Sequence, residues 1–235
     1  MVEPTRHHRV LDLACGSGVL LDLCHTRFAN LTSLMGVDMS ADELALARER
    51  LGGKDVVLHE ALAQNLKFAP PQSVDAVLCH WALTLMDPVE PVLEEIDRIL
   101  SPGGVFSAVV DGDPAAAPGY EAVNDLIFQY VREELPTYGD QDLGDPRTRT
   151  PETLATLANS VFDTANVSVE TSVFSLQGAP EVVAKEAAGF FYAAFVLPAP
   201  ARAQLLEELA ELLQKNASEG TAKFFMPVCR LVVRL

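Results

Sequence analysis

Residues 10–18 read Val10-Leu11-Asp12-Leu13-Ala14-Cys15-Gly16-Ser17-Gly18. An apolar run enters a glycine turn, and the chain beyond Gly18 reads as a helix to about Phe28. That order is a buried strand, a tight turn and a helix start. Small residues at 14, 16 and 18 leave room for a ligand to press against the backbone. Amide N–H groups at a helix start attract a polar or negative group. Twenty residues past Gly18, Asp38 closes a second apolar run, Leu31 to Asp38. A carboxylate there can accept both hydroxyls of a ribose. The turn and the acid together predict a nucleoside-containing ligand at the C-terminal ends of the strands.

The alternation continues outward. Ser40-Ala41-Asp42-Glu43 fits a capping box, with Ser40 as N-cap and Glu43 at N3. Its helix runs to about Leu51, and Gly52-Gly53 stops it. Val56–Leu58, Val74–Cys79 and Val105–Val110 read as strands three, four and five. Asp87-Pro88-Val89-Glu90 reads as a helix start with Pro88 at N1. Leu93, Ile96, Ile99 and Leu100 share one face of that helix. Five apolar strands joined by helices predict a parallel sheet covered on both faces, with right-handed crossovers.

The second half differs. Asp111–Glu152 is acid-rich and broken by Pro114, Pro118, Gly119, Pro136, Gly139, Gly144 and Pro146. It reads as an insertion holding a helix over Tyr120–Leu135. Thr150-Pro151 opens a short helix to about Asn159. Val167–Leu176 alternates like an antiparallel strand with one wet face. Glu181–Val196 and Pro200–Asn216 read as helices. The latter carries Leu205, Leu206, Leu209, Leu212 and Leu213 as an apolar stripe. Phe224–Leu235 closes as a strand.

Composition bounds the function. The 235 residues are 49% hydrophobic and 21% charged, enough to bury a core. Thirty-three acids against 17 bases give a formal charge of −16. That charge argues against nucleic acid and against an anionic membrane surface as partners. The longest uncharged apolar run, Ala187–Leu197, is shorter than the ~20 residues a membrane span needs. Met1–Arg9 is polar and lacks the apolar core of a signal peptide. Cys15, Cys24, Cys79 and Cys229 form no C-x-x-C pair and match no Cys/His zinc spacing. The expectation is a soluble, cytoplasmic protein with reduced thiols and no metal.

A dinucleotide fingerprint would need glycine or alanine where Leu21 or Val19 stands. The A-x-G-x-G spacing of Ala14, Gly16 and Gly18 instead resembles motif I of class I S-adenosylmethionine (SAM)-dependent methyltransferases. Met35-Gly36-Val37-Asp38-Met39-Ser40 resembles that family's second-strand end, and Asp75-Ala76-Val77-Leu78 its fourth strand. Arg98-Ile99-Leu100-Ser101-Pro102-Gly103-Gly104 resembles its turn before strand five. These motifs cover residues 10–110 in the family's order and spacing. The second half resembles, more loosely, the small-molecule type-11 branch. The fold class implied is α/β: a Rossmann-like doubly wound, mostly parallel seven-stranded sheet with an antiparallel C-terminal strand and a helical cap insertion. The chain is read as a single SAM-binding domain, 1–235, with 111–150 and 178–220 on the substrate side.

The resemblance also implies roles. Asp12 lies near the methionine end of the cofactor. Ala14, Cys15, Gly16, Ser17 and Gly18 form its backbone cradle. Asp38 holds the ribose, Met39 lies against adenine, and Cys79 completes the cofactor set. Ala61-Leu62-Ala63-Gln64-Asn65-Leu66-Lys67-Phe68 stands where the family reads G-D-A-x-x-L-P-F. Leu62 therefore replaces the aspartate that usually accepts from the adenine amine, and the backbone at Ala63 is left to contact the ring. The acceptor lies beyond strands four and five. His80 there is either a general base or a pocket-lining residue. Trp81 is a pocket wall or core, and Asp111 and Tyr120 join the substrate pocket. Asp111 and Asp113 lack a third metal ligand. His59 reads as structural, and His7, His8 and His25 as surface residues.

Only nine residues precede strand one. A shortened start, a lid supplied by 111–150 and a lid from a partner subunit compete as explanations; the insertion is preferred, and a homodimer stays open. The expected activity moves a methyl group from SAM, leaving S-adenosylhomocysteine, to an oxygen or nitrogen of a small molecule, with carbon a third choice. A SAM-binding enzyme of the same fold with non-methylating chemistry, or a non-catalytic scaffold, are the alternatives.

Overall fold

The computed structural model describes residues 3, 5–28, 30–138, 144–163 and 165–235. Within the expected insertion, Gly139 and residues 140–143 lie outside the described residues.

The chain opens with β1 (Arg9–Leu13), α1 (Val19–Arg27), β2 (Ser33–Asp38), α2 (Ala41–Leu51) and β3 (Val57–Glu60). It continues with β4 (Val74–His80), α3 (Glu90–Ile99), β5 (Leu100–Asp111), α4 (Tyr120–Glu134), α5 (Pro151–Val161) and β6 (Asn166–Gly178). It closes with α6 (Pro180–Ala188), α7 (Tyr192–Phe195), α8 (Ala199–Gln214) and β7 (Ala222–Arg234). Among the described residues the strands form one seven-stranded sheet in the order β3-β2-β1-β4-β5-β7-β6. Neighbours from β3 to β5 pair in parallel, and β7 is antiparallel. The fold is the mixed, Rossmann-like α/β sheet that the sequence predicts. The chain winds outward from β1 to β3, then crosses back to β4 beside β1. That reversal opens a crevice at the C-terminal ends of β1 and β4, where ligands of such sheets bind.

Core residues lie on both faces of the parallel strands. Leu11, Leu13, Val77 and Phe106 pack with Leu93 and Ile96 of α3. Val10, Ala76 and Val105 pack with Leu21 of α1 and Leu44 of α2. Gly36 lets α1 come close to β2: a Cβ there would lie 2.6 Å from Leu21 Cδ1 and 2.8 Å from Cys15 Sγ. The start of β1 is pinned by Asp75. Its carboxylate accepts from the His8 and Arg9 N–H groups at 3.0 and 2.9 Å and from the Arg9 guanidinium at 2.6 Å. Burial pushes the Asp75 pKa up, but the bonds from Arg9, His8 and Ser101 pull it well below the usual carboxylate range.

Five local readings need correction. The Ser40 side chain accepts from Glu43 N–H, as a capping box requires, but the Ser40 N–H goes to Asp38 Oδ1 at 2.9 Å and not to Glu43. The helix expected at Asp87 starts at Glu90, with Pro91 and not Pro88 in its first turn. Strand five starts early, because Leu100 already pairs with Val74. The helix expected over Glu181–Val196 breaks at Gly189 into α6 and the single turn of α7, consistent with glycine's poor helix propensity. His7, expected at the surface, is 5% exposed, and its Nδ1 accepts from Glu3 N–H at 2.8 Å.

The chain divides into two compact units. Unit 1 comprises Met1–Asp111, Leu143–Glu170 and Cys229–Leu235; unit 2 comprises Gly112–Asp142 and Thr171–Val228. In unit 2, α8 packs on α4 and α6, burying Leu205, Leu209 and Leu213 of its stripe, with Leu206 and Leu212 half-buried. Tyr130 donates to Glu208 Oε1 at 2.7 Å across α4 and α8. Among the described residues no helix is long and apolar enough to cross a membrane.

Candidate cofactor-binding site

The end of β1 turns sharply. Ala14 and Gly16 both have positive φ (56° and 50°), and Gly18, the N-cap of α1, has φ 77°. A left-handed alanine is strained, so the loop is held by what surrounds it. Cys15 N–H donates to Val37 O at 3.0 Å, and Gly18 N–H to Cys15 O at 3.0 Å. A Cβ on Gly18 would come within 3.1 Å of Ala47 Cβ, so glycine also sets the approach of α2.

Asp38 ties the two strand ends together. Its Oδ2 accepts from Gly16 N–H and its Oδ1 from Ser40 N–H, each at 2.9 Å. A carboxylate offers about four acceptor positions. Two are used by backbone, so the group is fixed in place with capacity left for further donors. Beside it lies a cavity of about 290 Å³. Ala14, Asp38, Met39, Leu62 and Ala63, all expected in the cofactor set, line it. Leu85 and Met86, carried by a 3-10 turn at Leu83–Leu85, line it as well. Met39 and Leu62 are apolar yet 71% and 46% exposed. The sequence reading missed Leu85 and Met86; no motif marks them, and the fold brings them in from beyond β4.

Asp12, on β1, is the second acid close to the turn. It is 2% exposed, and its Oδ2 has no hydrogen-bond partner in the structure. Burial first, then the nearby Asp38 charge, pushes its pKa up to about 8. An orphaned buried carboxyl beside a fixed carboxylate suits a ligand that brings a positive or hydrogen-bond-donating group.

The remaining expected residues separate. Cys79 and His80 line a different cavity, between β4, β5 and α1, which shares no residue with the one beside Asp38. Burial pushes the Cys79 thiol up to about 12, so it stays protonated and inert. His80 is accessible at the end of β4, its ring edge-on to Trp81 at 5.8 Å, and desolvation lowers its pKa. Trp81 is half-buried with a positive φ of 59°, an uncommon conformation for a bulky residue. Asp111 ends β5 with an exposed side chain. Tyr120, in unit 2, is 8% exposed and packs 5.7 Å from Phe191 and 6.2 Å from Phe224, which makes it a core side chain there. His59 stacks on Phe68 at 3.7 Å. Among the described residues no group of three His, Cys, Asp or Glu could hold a metal ion.

Residues 11–108 match the family described as "Methyltransferase domain". The chain is 34% identical over 131 residues to a demethylmenaquinone methyltransferase of Symbiobacterium thermophilum, covering 54% of this chain and 50% of that one. It is 30% identical over 175 residues to a trans-aconitate 2-methyltransferase of Rhodopseudomonas palustris, covering 69% and 66%. The chain spans about half the length of the first curated relatives it matches. Among solved structures, a putative methyltransferase of Bacillus halodurans superposes with a TM-score of 0.58 at 18% identity, covering 97% of this chain and 93% of that one, a likeness of fold.

Proposed function

Since the chain belongs to the class I SAM-dependent methyltransferase family, we propose that it transfers a methyl group from SAM to an oxygen, nitrogen or carbon atom of a small molecule. The observation that carries this reading is Asp38, held by Gly16 N–H and Ser40 N–H at 2.9 Å each on the rim of the 290 Å³ cavity. Its two remaining acceptor positions suit the two hydroxyls of a ribose. Met39 and Leu62 offer exposed apolar surface to the faces of adenine. Leu62 cannot accept from the adenine amine, so ring selectivity falls to backbone near Ala63. Asp12 suits the cationic methionine end, because its buried, unpartnered Oδ2 gains most from a donor.

SAM when bound supplies a methyl group on an already positive sulfur. The protein's work is therefore to orient the acceptor, exclude water and, where the acceptor carries a proton, remove it. His80 is the residue proposed for the proton. Desolvation lowers its pKa, which favours the neutral imidazole, the form that can accept a proton. The relatives named demethylmenaquinone methyltransferase and trans-aconitate 2-methyltransferase favour a small molecule as acceptor. Enzymes of small-molecule biosynthesis also favour a cytoplasmic setting, and S-adenosylhomocysteine is the expected product.

Calorimetric titration with SAM and S-adenosylhomocysteine tests the reading. Micromolar binding by the wild type is expected, weakened about 10-fold or more by Asp38→Ala, since charged hydrogen bonds contribute about 1.5–3 kcal/mol each. Asp38→Asn keeps an acceptor for only one of the two backbone N–H groups, so denaturant melts of both variants control for collapse of the turn. A folded wild type that binds neither ligand overturns the proposal.

A further inference from the structure

The β4–β5 register sets Leu78 beside Ser107 and His80 beside Val109. Paired residues of neighbouring strands share a face. Leu78 belongs to the same core cluster as Leu21 and Cys24 of α1, so this face is the one that α1 covers. Coverage stops short, and a cavity of about 230 Å³ remains, walled on the helix side by Leu20, Cys24 and Phe28. Its walls are mostly apolar, with Arg27 and His80 on the lining and one hydroxyl in the floor. Ser107 is 3% exposed, and its Oγ has no hydrogen-bond partner. A hydroxyl buried without a partner is costly, so it marks a place where an oxygen or nitrogen belongs.

We propose that this groove is a second ligand site of unit 1, taking a single-ring aromatic alcohol or ketone whose oxygen pairs with Ser107 Oγ. Size sets the ring number. An apolar cavity of about 150 Å³ accepts benzene, so 230 Å³ accepts one ring with small substituents. Charge sets the head group. Arg27 and His80 line the groove and no acid does, unusual in a chain of net charge −16. An amine is therefore disfavoured and an oxygen favoured. The site has no lining residue in common with the cofactor cavity; it includes His80, the residue proposed above for the proton, but the pairing with Ser107 does not depend on that role.

The probes are p-cresol and toluene, which differ by one hydroxyl, titrated by ligand-observed NMR into the whole chain. Wild type binds p-cresol about 3- to 10-fold more tightly than toluene, the preference one hydrogen bond confers. Ser107→Ala removes the preference while toluene still binds; Ser107→Cys, which keeps the volume, does the same. Leu23→Trp, at a lining position 44% exposed, fills the groove and abolishes both. Asp38→Ala leaves p-cresol binding intact, which separates this site from failure of the cofactor site. Three results overturn the proposal. The wild type does not bind p-cresol at low-millimolar concentration. The preference survives in folded Ser107→Ala, which would assign the hydroxyl to water. Or the wild type is a dimer that Leu23→Trp dissociates, which would make a second copy of the chain the occupant.

Discussion

Asp12 is the residue whose ionisation the fold controls most. Buried on β1 and close to Asp38, it has its pKa raised to about 8. In the unfolded chain the ordinary value near 3.9 applies. Between those two values the folded state holds a proton that the unfolded state has lost. Stability must therefore fall as pH rises from about 4 to 8, then level off. Asp12→Asn removes the titration. The variant should gain stability relative to wild type as pH rises, by at least about 1 kcal/mol between pH 5 and pH 8.5. Urea melts at those two pH values measure it, and a difference that does not vary with pH would sink the assignment. Asp75 has the opposite sign. Its pKa lies below the ordinary range, so its contribution is present at neutral pH and is lost only as the solution becomes strongly acidic.

At the scale of elements, the approach of α1 to β2 decides where the turn between β1 and α1 sits. Gly36→Val would drive a side chain into Leu21 and Cys15 Sγ, atoms already 2.6 and 2.8 Å from an added Cβ. Overpacking of this kind costs about 1–3 kcal/mol. Because Cys15 belongs to the turn, the same change should weaken SAM binding. Gly178→Ala meets only Val183 Cγ2 at 3.8 Å and should be nearly neutral. Denaturant melts of both variants check this; equal stabilities would mean that α1 shifts freely. Elements whose signals are local were legible in the sequence. Ser40 and Thr150 cap their helices through side-chain oxygens, and Gly52 ends α2 with φ 54°. Signals that depend on distant partners were not. Pro88 looks like a helix start, but Pro91 fills the first turn. Leu100 looks helical by period, but Val74 is there to pair with it. The candidate site divides in the same way. Asp38 and Gly16 follow from spacing, whereas the positive φ of Ala14 and Trp81 has no mark in residue type. Cys79 and His80 follow β4 to its C-terminal end as expected, but the register turns His80 with Val109, and the cavity there is not the one at Asp38.

For the whole molecule the dominant fact is the formal charge of −16. Two effects of salt oppose each other. Screening weakens the ion pairs, such as Arg9 with Asp75 at 2.6 Å and Arg147 with Glu90 at 2.6 Å. It also weakens the mutual repulsion of the excess acids, which favours the expanded chain. The Arg9–Asp75 pair is sheltered, with the Asp75 side chain 14% exposed, and so is screened less than the surface acids are. The pairs of Lys54 with Asp22 and Arg230 with Glu170 are more exposed and contribute little to begin with. Repulsion should therefore win. The melting temperature at pH 7.5 is expected to rise by a few degrees between about 0.02 and 0.3 M NaCl, most of it below about 0.1 M, where the Debye length shrinks to about 10 Å. Calorimetric scans in NaCl and in KCl measure it, the second salt excluding a site-specific sodium effect. A melting temperature that falls with either salt would mean that the ion pairs, and not the net charge, set the electrostatic balance of this fold.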